Sequence, residues 1–255
     1  MLSGAMVVAQ KELVDHFRDT RSLVSNAIYT LMGPVIVAVI ATSVPIGRPI
    51  GSVMASVFVL VAAFTGGMTV ATDTLAGERE RRSLLPLILS SPSAGELLIG
   101  KWLASAVFAA ISALITTLGF GVLLVSLAED GTYSVSSLLQ LVPALAVLAG
   151  LAASLHILVA TLARNVKEAT AYVSMMVFVT MGIGMWFAFR PVLGSELWLA
   201  VPVSGHQRLF QSAFSGQLHS TFASMVLALT TATLVALVLA IALRHFRHST
   251  VNYRN

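Results

Sequence analysis

Charged side chains are missing from six long stretches of this chain, and those stretches set its architecture. Read from one flanking charge to the next, they are 22–47, 49–72, 102–128, 131–163, 169–189 and 220–243. An α-helix rises about 1.5 Å per residue, so about 20 apolar residues cross the hydrocarbon core of a bilayer. Each stretch is long enough. The fourth exceeds one span, so 131–137 is assigned to a loop and the span to 138–163. The pattern predicts an all-α integral membrane protein, with six transmembrane helices in one domain covering 1–255.

The polar segments between the runs carry their own signals. In residues 1–21, Met6, Ala9, Leu13 and Phe17, with Val14 beside them, fall on one helical face opposite Lys11, Glu12, Asp15 and Arg18. That pattern predicts an amphipathic helix lying along the membrane surface. Residues 73–101 form a polar hairpin between spans 2 and 3, carrying Asp73, Glu78, Arg79, Glu80, Arg81, Arg82, Glu96 and Lys101. Ser93 with Glu96 three residues on is a capping-box pattern before an apolar run, and Pro92 bars continuation from upstream, so a helix starts there. Leu84, Leu85, Leu87 and Ile88 are apolar residues of the hairpin that belong to no span. Between spans 5 and 6, in 190–219, Arg190-Pro191 stops one helix and Pro202 breaks the chain again. Leu209, Phe210, Ala213 and Phe214 then repeat at helical spacing beside His206, Arg208 and Gln211, which predicts one or two short helices dipping into the interface.

Charge orients the bundle. Of the 15 Lys and Arg residues, Lys11, Arg18, Arg21, Arg79, Arg81, Arg82, Lys101, Arg164, Lys167, Arg244, Arg247 and Arg254 fall on one side, against Arg48, Arg190 and Arg208 on the other. The excess marks the cytoplasmic side, so both termini and the hairpin are expected there and 190–219 outside.

Composition narrows the class further. The chain is 57% hydrophobic and 10% charged, with a mean hydropathy of +0.90; soluble domains are about 25% charged. The absence of cysteine excludes disulfides, thiol catalysis and Cys-ligated zinc or iron–sulfur sites. The net charge of +4 follows from membrane topology, and no nucleic-acid partner is expected.

The order Asp73, Gly77-Glu78, Glu80, Ser83-Leu84, Leu87, Pro92 and Gly100-Lys101 resembles the loop between the second and third spans of ABC-2 type export permeases. Small Nat-type and Nos-type members are the most similar in pattern, and the six-span layout extends the resemblance over most of the chain. The resemblance implies the transmembrane permease subunit of an ATP-driven exporter in the plasma (inner) membrane. Two copies would pair as a homodimer above two copies of a separate ATPase subunit. ATP and Mg would be bound by that ATPase, with no cofactor in this chain. The hairpin would be the coupling element, with Asp73, Glu78, Arg79, Glu80, Arg81, Arg82, Leu84 and Leu87 as its contact residues. Short re-entrant external helices after span 5 belong to the same pattern.

Other chemistry was weighed against packing. His156 is the one ionisable side chain well inside a span, about 10 Å from Arg164 if helical. It is either a structural residue hydrogen-bonded to a neighbouring helix or part of a substrate path. Asp73 is expected to pair with Arg79 or Arg81 at the interface. Gly95 to Lys101 reads G-x-x-x-x-G-K, but Trp102 follows in place of Ser or Thr and no strand precedes, so nucleotide binding is not expected. Met175, Met176, Met181 and Met185 are read as packing residues rather than copper ligands. Gly66-Gly67 with Ala71, Gly119 with Gly121, and Ala146, Gly150 and Ser154 mark close helix contacts. No catalytic set can be assembled from the residues, so an enzyme is not expected. An ion-coupled or passive six-span transporter, and a membrane scaffold or sensor, are the alternatives that the residues leave open.

Overall fold

The computed structural model describes residues 2–44, 46, 48–81, 93–126, 141–189, 199–217 and 220–252. It is helical throughout, with no strand among the described residues. Helix α1 is Leu2–Arg18 and α2 is Thr20–Ala41, broken apart at Asp19, whose extended backbone and side-chain Oδ1 cap the N–H of Arg21. Helix α3, Arg48–Gly66, continues through a short α4, Met68–Ala71, a π-helical turn, Thr72–Gly77, and α5, Glu78–Glu80. Then follow α6 (Ala94–Ser126), α7 (Leu141–Leu162), α8 (Val166–Phe189), α9 (Pro202–Phe214) and α10 (Thr221–Asn252).

Six helices are long and apolar enough to cross a membrane: Thr20–Ala41, Ile50–Glu80, Ala94–Ser126, Leu141–Leu162, Val166–Phe189 and Thr221–His248. The number agrees with the count of uncharged runs. Two boundaries do not. Span 2 runs on to Glu80 and span 3 starts at Ala94, so both helices enter the segment assigned to the hairpin. A flanking charge marks where lipid ends, whereas backbone hydrogen bonding continues as long as the charges find partners. The start of span 3 does follow its capping signal: the N–H of Ser93 donates to Glu96 Oε2 at 2.9 Å and the N–H of Glu96 to Ser93 Oγ at 3.3 Å.

Spans 2 and 4 form the centre, each about two-thirds buried over its apolar window, against 22–28% for spans 1, 5 and 6. The outer three keep large apolar side chains such as Ile28, Val35, Phe178, Trp186, Phe222 and Leu229 exposed, as helices facing lipid or another apolar surface do. Met175, Met181 and Met185 lie on that outer surface rather than in the packed interior.

Close approach is built from small residues. A Cβ at Gly67 would fall 2.5 Å from the backbone oxygen of Ser105, whose hydroxyl donates to the Gly67 carbonyl at 2.9 Å. Trp102 Nε1 donates to the Gly150 carbonyl at 3.0 Å, tying span 3 to span 4. The Pro34 in α2 is accommodated without ending the helix.

Helix α9 falls in the segment expected to hold short external helices, and its Leu209, Phe210, Ala213 and Phe214 pack into the protein core with Leu60, Phe64, Phe120 and Leu148. His206 and Gln207 are buried as well, because the amide of Gln207 donates to the buried Ser56 hydroxyl at 2.7 Å.

Candidate functional site

The charged residues singled out in the hairpin are mostly engaged by the fold. Arg79 donates through Nη1 to the Ala163 carbonyl and through Nη2 to the Thr161 carbonyl at 3.1 Å. These are oxygens at the C-terminus of span 4, which lack partners within their own helix. Its neighbour Glu80 accepts the N–H of Val166 at 3.2 Å, at the first turn of span 5. A cation at a helix C-terminus and an anion at a helix N-terminus both complement the helix dipoles. Consecutive residues of α5 thus hold the turn between spans 4 and 5 from both sides. That turn also has its own cap: the Glu168 N–H donates to Asn165 Oδ1 at 2.9 Å and the Arg164 N–H to Glu168 Oε2 at 2.8 Å.

Glu78 points the other way, into the protein. Its Oε1 lies 2.9 Å from Lys101 Nζ, which also meets Glu12 Oε1 at 3.0 Å and donates to the Thr74 carbonyl at 2.7 Å. Lys101 has no exposed surface. Removing an ammonium from water costs several kcal/mol unless it is fully paired, and its three protons meet three oxygens here. Lys11 adds a second cation, 3.5 Å from Glu12 Oε1 and 3.3 Å from Asp15 Oδ2. Partial burial pulls the Lys11 amine down, but Glu12, Asp15 and Glu78 outweigh it and hold it above its ordinary value.

The remaining predicted residues divide. Asp73 lies half-buried in the π-turn and makes no ion pair among the described residues, so its expected pairing with Arg79 is not formed; Arg79 is spent on carbonyls instead. Arg81 is exposed. Arg82, Leu84 and Leu87 lie outside the described residues. The G-x-x-x-x-G-K stretch is helical from Ala94 onward and its lysine is enclosed by carboxylates, so it does not form a phosphate loop.

His156 is fully buried, edge-on to Phe64 at 6.1 Å between ring centres. Neither ring nitrogen has a hydrogen-bond partner among the described residues. The hydrogen bond to a neighbouring helix that the sequence suggested is therefore not made. Among the described residues no group of His, Cys, Asp or Glu side chains could hold a metal ion.

Two residues of the cluster escaped the sequence reading. Glu12 was placed on the solvated face of α1, yet Glu12 and His16 are buried with Ala5 and Ala9. Leu13 packs against the cluster of Ala104 and Phe108 on α6, the ring centre of Phe17 lies 4.9 Å from that of Phe108, and Met6, Val7 and Val14 stay exposed. The legible signal was size rather than polarity: Ala5 and Ala9 are a small-xxx-small pair, and Gly100 faces them, since a Cβ there would lie 2.7 Å from the Ala5 carbonyl oxygen. Lys101 entered only as one charge among several, although a lysine leading into an apolar helix already points to a buried partner.

A bundle of six helices long and apolar enough to cross a membrane, with charged side chains paired where spans 2, 3, 4 and 5 end or begin, defines a multi-pass membrane protein. Residues 35–250 match the family described as ABC-2 family transporter protein, and the chain belongs to that family. It is 31% identical over 147 residues to the ABC transporter permease protein NatB of Bacillus subtilis (strain 168), a match covering 54% of this chain and 37% of NatB. The matched stretch thus spans well under half of that relative's length.

Proposed function

We propose that this chain is the membrane-spanning subunit of an ATP-driven exporter, working as a homodimer with two copies of a separate ATPase that binds the ATP and Mg. The observation that carries the reading is the way the described part of the 73–101 segment is tied down. Arg79 and Glu80 grip the turn between spans 4 and 5, and Glu78 reaches span 3 and α1 through Lys101. A push on the hairpin has rigid connections into five elements, which is what a force-receiving element requires. Membership of the ABC-2 family and likeness to a protein named an ABC transporter permease support the same conclusion.

Glu78, Arg79 and Glu80 are engaged within the protomer, and in this reading the ATPase contact is assigned to Arg81, Arg82, Leu84 and Leu87, with Asp73 helping to position the hairpin. Apolar residues beside charges combine burial with register. The excess of Lys and Arg places this end, and both termini, in the cytoplasm, with the exposed apolar side of α1 against membrane lipid. His156, buried in α7 against Phe64 of α3, is kept as a candidate residue of the substrate path.

Co-expression with a candidate ATPase, followed by affinity purification through this chain in detergent, tests the reading. The wild-type chain should retain the ATPase, and Leu84→Asp with Leu87→Asp should release it while the melting temperature stays unchanged. Full retention by that double variant would overturn the docking assignment.

A further inference from the structure

Lys101 occupies the end of the second turn of α6, where a helix entering the membrane ordinarily carries an apolar side chain. Its three acceptors come from three different places: the α1 helix, the π-turn and α5. The glycine before it seats α1 directly on α6, with Ala5 O and Val8 Cβ both within 2.7 Å of where a Cβ would be. Helices α1 and α6 are therefore joined twice, once by close backbone approach at Gly100 and once by the Lys101–Glu12 pair, while the π-turn and α5 are held through Lys101.

The π-turn adds a mechanical consequence. A π-helical turn holds one residue more than an α-turn, and such turns recur at functional sites. Converting Thr72–Gly77 to α-helix would rotate the residues beyond it by about 100°, the angle of one residue in an α-helix. Glu78, Arg79 and Glu80 would lose their partners together. Lys101 bonds the carbonyl of Thr74, inside the turn, and the carboxylate of Glu78, immediately beyond it. It thereby holds the turn in its π form and fixes the direction in which α5 leaves the bundle.

We propose that Lys101 is a positioning residue for coupling: it locks the π-turn and joins α1, the end of span 2 and the start of span 3 into one body that moves with the hairpin. This rests on the reading above that the hairpin receives force from an ATPase. A purely structural ion cluster behaves differently. Replacing a complete buried charge cluster with apolar groups of similar volume is often harmless to folding, whereas removing one member is not. The neutral replacement of all three residues therefore separates the two roles.

The experiment uses the full chain in lipid nanodiscs, as wild type, Lys101→Arg, Lys101→Met, and the triple variant Glu12→Leu, Glu78→Leu, Lys101→Met. Melting temperature and hydrogen exchange are measured for each. ATP turnover is measured after reconstitution with the ATPase. Lys101→Met should lower the melting temperature and raise exchange in both 2–18 and 72–81. The triple variant should melt like wild type, yet exchange about tenfold faster in 72–81, since that segment then opens locally, and should lose permease-dependent ATP turnover. Lys101→Arg should keep both properties near wild type. A triple variant with wild-type exchange in 72–81 and wild-type turnover would overturn the proposal. Failure of the ATPase to bind the wild-type chain would remove the proposed function instead, and the exchange data alone would still decide whether Lys101 locks the turn.

Discussion

Glu80 accepts the backbone N–H of Val166, 86 residues further along the chain, at 3.2 Å. Its neighbour Arg79 meanwhile closes the last carbonyls of the preceding helix. The two contacts differ in burial and so in weight. Arg79 is half-buried and Glu80 exposed. Arg79→Met leaves two carbonyls without their donor and should cost about 1–3 kcal/mol, whereas Glu80→Ala should cost under about 1 kcal/mol. Thermal melting in detergent reads the difference, and equal losses would contradict this ranking.

The cap of α6 is a reciprocal pair, so either partner can be removed. Ser93→Ala and Glu96→Ala should each destabilise the helix start by about 1 kcal/mol, and Ser93→Asp should retain most of the stability. Hydrogen exchange over 93–100 is the measurement. Unchanged protection in both alanine variants would show that neighbouring packing alone holds the start.

Glycines in this bundle are not equivalent. Gly67→Ala would drive a methyl group against the backbone of Ser105 and break the hydroxyl contact made there, costing about 1–3 kcal/mol. Gly182→Ala has nothing within 4 Å and should stabilise its helix by up to about 1 kcal/mol. Opposite shifts in melting temperature are expected. A neutral Gly67→Ala would mean that spans 2 and 3 can separate at no cost.

Both ring nitrogens of His156 are buried and without a hydrogen-bond partner among the described residues. Removing an unsatisfied polar group from a packed interior is neutral or favourable when the shape is conserved, so His156→Leu should melt at or above the wild-type temperature. A drop of several degrees would reveal a partner that the imidazole acquires in another state of the protein.

Topology is open to a direct check. Reporters fused after Asn255 and inserted near Ser83 should both read cytoplasmic, and one near Gly131 external, as the distribution of Lys and Arg requires. An external signal at Ser83 would invert the bundle and remove the hairpin from reach of any ATPase.

The number and approximate place of the membrane helices could be read directly, because crossing a bilayer is a one-dimensional requirement: about 20 apolar residues in a row. The cap at Ser93 and Glu96 was equally legible, since both partners sit within one turn. The family resemblance rested on the same kind of local order, from Asp73 to Lys101. Helix lengths beyond the lipid were not legible, since the extensions to Glu80 and back to Ala94 depend on charges being matched by distant groups.

The sequence by itself determined the class of this protein, its six spans and the capped start of α6, all of which depend on residues a few positions apart. Tertiary structure alone decided which charges are buried. Glu12 reads as a surface residue until Lys101, 89 positions away, closes on it, and Lys101 reads as a hairpin charge until Glu78 and Thr74 complete its shell. The close approach of α1 to α6 was likewise set by Gly100, while Met6 stays exposed. The physical reason is that burying a charge costs several kcal/mol unless its partners are in place, and those partners are brought together by the fold rather than by the local pattern of the chain.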